Sequence, residues 1–127
     1  MTSRRDDPVV SVRDLTKRFG DTVAVRDFDL DVQYGEIVGI IGPSGCGKTT
    51  TVRLMTGSHE PTEGSVQLWG QDMSELKPRQ RARLGYLPQL PALLPDLSIK
   101  ENIQFQASLV GVGFRRKRQM NELLGLV

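Results

Sequence analysis

One stretch of this chain leaves little freedom in how it folds. The apolar run Ile37-Val38-Gly39-Ile40-Ile41 passes straight into Gly42-Pro43-Ser44-Gly45-Cys46-Gly47-Lys48-Thr49 and then into Thr50-Thr51-Val52-Arg53-Leu54-Met55. The first segment has no polar alternation, which suits a strand at the centre of a sheet covered on both faces. The last has neither Gly nor Pro and is compatible with a helix. Between them, Gly42, Gly45 and Gly47 stand where side chains would keep backbone N–H groups from converging on one point. A strand, a glycine loop and a helix start in this order make a phosphate site: several amides close on one set of oxygens, and the helix adds its uncompensated N-terminal amides and the positive end of its dipole. The spacing arises by chance in a chain this short well under about one time in a hundred. It predicts nucleotide binding in which Ser44, Gly45, Cys46, Gly47, Lys48, Thr49 and Thr50 hold the phosphates. Lys48 supplies a mobile charge for the β- and γ-phosphates, and the Thr49 hydroxyl is a hard oxygen ligand for Mg²⁺.

At 127 residues the chain is expected to be one domain at most, long enough for a real core and short for a complete nucleotide hydrolase. Its net charge of +2 hides an asymmetry: residues 1–63 carry 8 Lys/Arg against 10 Asp/Glu, and residues 64–127 carry 9 against 5. Much of the second excess is Arg115-Arg116-Lys117-Arg118, read as a solvated helix face rather than a contact with lipid or nucleic acid. The single cysteine, Cys46, excludes an internal disulfide framework and is read as a small filler in a free position of the loop, not as a redox group. Charges of both signs at the N-terminus, with no apolar region after them, do not make a secretory signal. No apolar run reaches membrane-spanning length, so a link to a membrane is expected to go through a partner.

In chain order, Val9 to Val12 reads as a strand and Asp14 to Asp21 as its end and a turn. Val23 to Val32 alternates apolar and charged residues, as half-buried antiparallel pairing requires. The loop helix should end near Gly57, in the breaker-rich segment Gly57 to Gly64. His59, the only histidine, is read as solvated and non-catalytic. Ser65 to Trp69 alternates again, with Trp69 expected to pack rather than to touch a ligand. Pro78 to Arg83 suits a short helix and Leu84 to Leu87 a short strand, followed by a proline-rich apolar loop. Ser98 and Glu101 have capping-box spacing for a helix through Ile103, Phe105, Leu109 and Val110. A second helix is expected from Phe114 to Leu124.

This order of parts resembles the N-terminal portion of an ATP-binding-cassette (ABC) ATPase domain over essentially the whole chain. The Tyr34-Gly35-Glu36-Ile37-Val38-Gly39 approach to the loop and the Pro61-Thr62-Glu63-Gly64 turn resemble the family's wording. The resemblance implies an α/β fold: a P-loop NTPase core sheet with an N-terminal antiparallel β group and the start of a helical subdomain. The ATP-binding core then covers about 1–89 and the helical start about 90–127. Phe19, an aromatic before Gly20 well upstream of the loop, stands where the family stacks a ring on adenine, with Val25 also flanking the base. Gln89, after Gly85-Tyr86-Leu87-Pro88, matches the family's Q-loop glutamine, whose amide oxygen reaches toward Mg²⁺ and the attacking water. Lys48 and Gln89 are thus the expected catalytic residues, Thr49 and Gln89 the metal ligands, and ATP with Mg²⁺ the cofactor pair.

The family's remaining reaction parts do not occur in this sequence. There is no apolar strand ending in Asp-Glu, no Ser- and Gly-rich signature segment and no late switch histidine, so weak or no ATPase activity is expected of the chain alone. A truncated sheet should also expose apolar surface. The resemblance implies the ATP-binding subunit of a transporter, coupling hydrolysis to export, on the inner face of the cell membrane. Its implied partners are a transmembrane permease subunit and a second ABC ATPase domain, with no direct nucleic-acid binding. The alternatives are a soluble non-transport ABC ATPase, supported only by the basic cluster, and a truncated nucleotide-binding module without hydrolysis. A GTPase is disfavoured because no Asn-Lys-x-Asp guanine reader occurs.

Overall fold

Two-residue turns build the first part of the structure. At Gly20-Asp21 the chain reverses so that Phe19 faces Thr22, and β1 (Val10–Phe19) pairs antiparallel with β2 (Thr22–Val32). At Trp69-Gly70 it reverses again, with φ of 53° and 74°, the signs a type I′ hairpin requires. That turn joins β3 (Glu63–Leu68) to the short β4 (Gln71–Asp72). The strands lie in the order β2-β1-β3-β4, antiparallel at each pairing. Trp69 is thus a turn residue, half-buried at the end of its strand.

This computed structural model describes residues 7–90, 93–109, 121–122 and 124–125. They form two compact units, Met1–Pro78 and Arg79–Val127. The sheet, α1 (Lys48–Met55) and a single 3₁₀ turn at Met73–Glu75 make up the first unit.

β1 runs further than its sequence suggests. The expected turn over Asp14 to Asp21 is a continued strand, interrupted by a bulge: Val12 pairs Leu30 and Leu15 pairs Phe28, so β1 holds one residue more than its partner between those points. Asp14 supplies the bulge at φ 49°, and its N–H donates to Asp29 Oδ1 at 2.8 Å. The extra residue shifts the side-chain period by one. Val12 and Leu15, three apart, can therefore both be fully buried, which is why simple alternation fails there. Opposite, β2 bulges at Asp27 (φ 44°), whose N–H donates to the buried Thr16 Oγ1 at 3.1 Å. Val66, Leu68, Leu54, Val25, Met73 and Leu76 complete the core of this unit.

The α1 helix ends as the sequence predicts, near Gly57. Gly57 N–H donates to Leu54 O at 3.1 Å and Ser58 N–H to Arg53 O at 2.9 Å, with Gly57 at φ 70°. These two bonds form a Schellman closure.

Two expected strands are not formed. Ile37 to Ile41 has no regular structure and no ladder partner, with Ile37 98% and Ile41 97% exposed. Leu84 to Leu87 likewise lacks regular structure, and Leu87 is 93% exposed. A strand with an apolar face on each side is made by its neighbours' hydrogen bonds and side chains. Among the described residues no strand lies beside either segment, so apolar surface stands open.

In the second unit, α3 (Ile99–Leu109) begins with the expected capping box. Glu101 Oε2 accepts from Ser98 N–H at 2.8 Å and from Ser98 Oγ at 2.6 Å. The Ser98 hydroxyl and amide hold the Glu101 carboxyl below the usual carboxylate range. Asn102, which the sequence did not single out, is the buried polar residue among the described residues of this unit. Its Oδ1 accepts Leu94 N–H at 2.8 Å, and its Nδ2 donates to the carbonyls of Leu94, Leu97 and Ser98 at 3.1, 2.9 and 3.1 Å. One side chain thereby fastens the end of the proline-rich loop to the helix start. The α2 helix is a single turn, Pro78–Arg81. Of the expected helix from Phe114 to Leu124, all but residues 121, 122 and 124 lies outside the described residues; those three are helical.

Candidate functional site

The glycine loop is held against the sheet by one close approach. Gly47 caps α1 in the left-handed region, φ 96°, and a Cβ placed on it would lie 2.2 Å from Ala24 O and 3.5 Å from Val25 Cγ2. Only glycine lets the loop rest directly on the β2 backbone. Val25 is buried at 8% exposure beneath this contact. Because Gly47 brings no side chain to the cap, no side chain bonds the first amides of α1. The first intrahelical bond is Thr51 N–H to Gly47 O at 2.8 Å, doubled by Thr51 Oγ1 to the same oxygen at 3.0 Å. Four amide positions at the helix start thus face away from the ladder, as helix geometry dictates, and Lys48, Thr49 and Thr50 occupy its first turn.

Lys48 does not extend into solvent. Its ammonium donates to Gly42 O at 2.7 Å and Pro43 O at 2.6 Å, and approaches Cys46 Sγ at 3.6 Å. A turn bond from Cys46 N–H to Pro43 O at 3.3 Å closes the loop beneath it. The loop therefore wraps a positive charge, with Ser44, Gly45, Cys46 and Thr49 exposed around it and Thr50 half-buried. This arrangement can receive an anion with several acceptor oxygens: the charge sits inside the loop, and the helix start presents amides and the positive end of its dipole.

Cys46 is exposed and, as the sole cysteine, reports on this loop directly. Mg-ATP at about ten times its Kd should slow alkylation of Cys46 roughly tenfold, by mass action. An unchanged rate, followed by intact mass, would take Cys46 out of the ligand's footprint.

Phe19 closes β1 and is 48% exposed, so a ring is available for stacking at the strand end. It is not isolated. Lys17 Nζ lies 5.1 Å from the ring centroid, and the His59 ring lies 5.9 Å away at an interplanar angle of 74°. The expectation of a solvated His59 is thus corrected: the imidazole is half-buried against Phe19. The loop carrying it is closed onto β1 by Thr62 N–H to Thr16 O at 2.9 Å and Arg18 N–H to Thr62 Oγ1 at 3.0 Å. No sequence signal links positions 19 and 59; the contact follows from the pairing of β1 with β3.

Gln89 belongs to the second unit, so its assignment beside Thr49 is carried by the sequence motif alone. Among the described residues no group of three or more His, Cys, Asp or Glu side chains is placed to hold a metal, and no helix is long and apolar enough to cross a membrane.

Comparison with known proteins decides the family. The family model for the ABC transporter matches residues 25–127, a span holding the loop, α1, β3 and α3. The chain belongs to the ABC transporter family. Among its ABC relatives, the Nod factor export ATP-binding protein I of Cupriavidus pinatubonensis is 41% identical over 104 residues, 82% of this chain and 32% of that protein. The spermidine/putrescine import ATP-binding protein PotA of Rubrobacter xylanophilus is 45% identical over 103 residues, 81% of this chain and 27% of its own length. The chain thus spans about a third or less of the length of these two relatives. Among solved structures, an ATP-binding subunit of an ABC transporter superposes with a TM-score of 0.71 at 27% identity, over 84% of this chain and 44% of that one. The dimeric post-hydrolysis state of the ATP-binding cassette MJ0796, bound to ADP and Pi, gives the same TM-score of 0.71 at 25% identity, over 89% and 53%. The ABC assignment accounts for the α/β fold with its N-terminal antiparallel sheet, and marks the chain as an N-terminal fragment of an ABC ATPase domain.

Proposed function

We propose that this chain forms the nucleotide-gripping part of an ABC transporter ATPase subunit. Mg-ATP is held with its phosphates in the loop from Ser44 to Thr50 and its base on Phe19, with Val25 behind. The observation that carries this reading is the position of Lys48, whose ammonium is wrapped by the loop at the foot of a helix with no side-chain cap. A phosphate oxygen is a stronger acceptor for an ammonium than a neutral carbonyl, because the bond is charge-assisted. The Lys48 ammonium therefore passes from Gly42 O and Pro43 O to the ligand.

The Thr49 hydroxyl would serve Mg²⁺ as a hard oxygen ligand beside the phosphates, and the sequence motif alone assigns Gln89 a second such oxygen. Bound there, the ion supplies neutralisation of phosphate charge. Thr49 orients the phosphates from the helix start, and Gln89 holds the attacking water; Lys48 and Gln89 are the residues we place in the reaction.

In the whole protein this grip is coupled to movement of a substrate across a membrane through a separate permease chain, with a second ATPase domain closing on the nucleotide. The subunit then works on the cytoplasmic face. The names of the relatives support the transporter role, and they include both an export and an import subunit. Our reading of export rests on the segment Asn102 to Gly111, whose wording resembles exporters with a separate membrane chain.

Calorimetric titration of the full chain with Mg-ATP, followed by assay of phosphate release, tests this reading. Binding is expected, with turnover weak or absent because the sequence has no Asp-Glu strand end to activate water. Absence of magnesium-dependent binding would sink the assignment; rapid turnover lost in Lys48→Ala would show that a general base had been overlooked.

A further inference from the structure

The last residues of β1 carry a cluster that the phosphate loop does not use. Lys17 and Phe19, two apart on the strand, meet through the ammonium and the ring at 5.1 Å. The same ammonium donates to Glu60 O at 2.7 Å, so it is anchored at its far end. His59 meets the Phe19 ring near a right angle, 5.9 Å between centroids. Its own backbone is fixed by the close of α1: His59 N–H donates to Arg53 O at 3.2 Å, the oxygen that also accepts Ser58 N–H. A half-exposed aromatic at a strand end would ordinarily sample several rotamers. Here it is held by a strand neighbour and by the cap of a helix.

We propose that His59 is a positioning residue for the base of a purine nucleotide: with Lys17 it fixes the Phe19 ring so that stacking is ready before the ligand arrives. The inference rests on the reading of Phe19 as the stacking residue. An ammonium over one face of a ring is a favourable contact that occupies that face, which leaves the base the opposite one. An edge-to-face neighbour holds the ring against rotation, and a ring already held forfeits little freedom on binding. Moreover, α1 carries phosphate-loop residues in its first turn and the support of the ring just past its last. One short helix thus fixes the spacing between the phosphate grip and the base platform.

The test compares Mg-ATP with Mg-tripolyphosphate, which has the phosphates and no base, in titrations of the full chain. His59→Ala should weaken ATP binding about three- to tenfold while leaving tripolyphosphate unchanged. His59→Phe should recover most of the loss, because the contact needs a ring and not an imidazole nitrogen. Phe19→Ala should remove the advantage of ATP over tripolyphosphate. If His59→Ala keeps the wild-type ratio while Phe19→Ala loses it, the role of His59 is overturned and the stacking stands. If Phe19→Ala also keeps the ratio, the stacking reading falls and the inference with it. Equal loss of both ligands in His59→Ala would make His59 a support of the loop fold instead, which also overturns the proposal.

Discussion

Lys48→Ala is expected to weaken Mg-ATP binding at least thirtyfold, a loss of ~2 kcal/mol or more, since hydrogen bonds to charged groups carry about 1.5–3 kcal/mol each. The ammonium makes two strong bonds within the loop, to Gly42 O and Pro43 O. Both are solvent-exposed carbonyls that water can serve when the side chain is removed, so the fold itself should change little. Nucleotide is the partner that water cannot replace. The readout is the shift of the unfolding midpoint with added Mg-ATP: a ligand at about a hundred times its Kd stabilises by about 2.7 kcal/mol. The wild-type chain should show such a shift and the variant should need far more ligand to show it. Equal shifts in both would mean that the loop is not where the phosphates bind.

Gly64→Ala should be the most damaging single methyl that can be added to the sheet. Gly64 stands in β3 opposite the β1 bulge, at φ 84°, and a Cβ there would lie 2.4 Å from Asp14 O and 2.5 Å from Arg13 O. Those oxygens belong to backbone, not to a flexible side-chain end, and the residue between them is itself at positive φ. Neither strand can yield without opening the pairing of Arg13 with Ser65 or of Thr16 with Glu63. A loss of about 2–4 kcal/mol is expected from the left-handed backbone and the displaced strand together. Gly39→Ala is the matched control, because a Cβ at Gly39 meets nothing within 4 Å; it should fall within about 0.5 kcal/mol of wild type. Urea unfolding of the two variants side by side decides the matter, and coincident midpoints would rule out the close approach at Gly64.

What could be read from the sequence is what depends on neighbours in the chain. The glycine loop, the capping box of Ser98 and Glu101, the Gly57 helix end and the alternation of Ser65 to Leu68 are all written within a few residues. Each is found where the residues place it. The features that escaped depend on partners far along the chain. The bulges at Asp14 and Asp27 shift the strand period, so β1 reads as ending early. The Phe19–His59 contact follows from the pairing of β1 with β3. Asn102 looks like any polar helix residue until the loop at Leu94 folds back on it. For Ile37 to Ile41 and Leu84 to Leu87 the pattern predicts strands that are not formed. An apolar run states what a segment prefers to touch, but it cannot supply the neighbour that makes it a strand.

The pairing of β1 with both β2 and β3 has a further consequence. Residues 20–62 leave β1 where Phe19 meets Thr22 and return to it where Thr16 meets Glu63, with a fixed point between them where Gly47 rests on Ala24. The glycine loop is therefore a strap buckled at three places. Closing such a strap has an entropic cost that rises only slowly with its length, by about 0.6 kcal/mol per doubling, and the cost is met when the sheet forms. A ligand that arrives later finds the loop's ends already fixed, so less of its binding energy goes into ordering it.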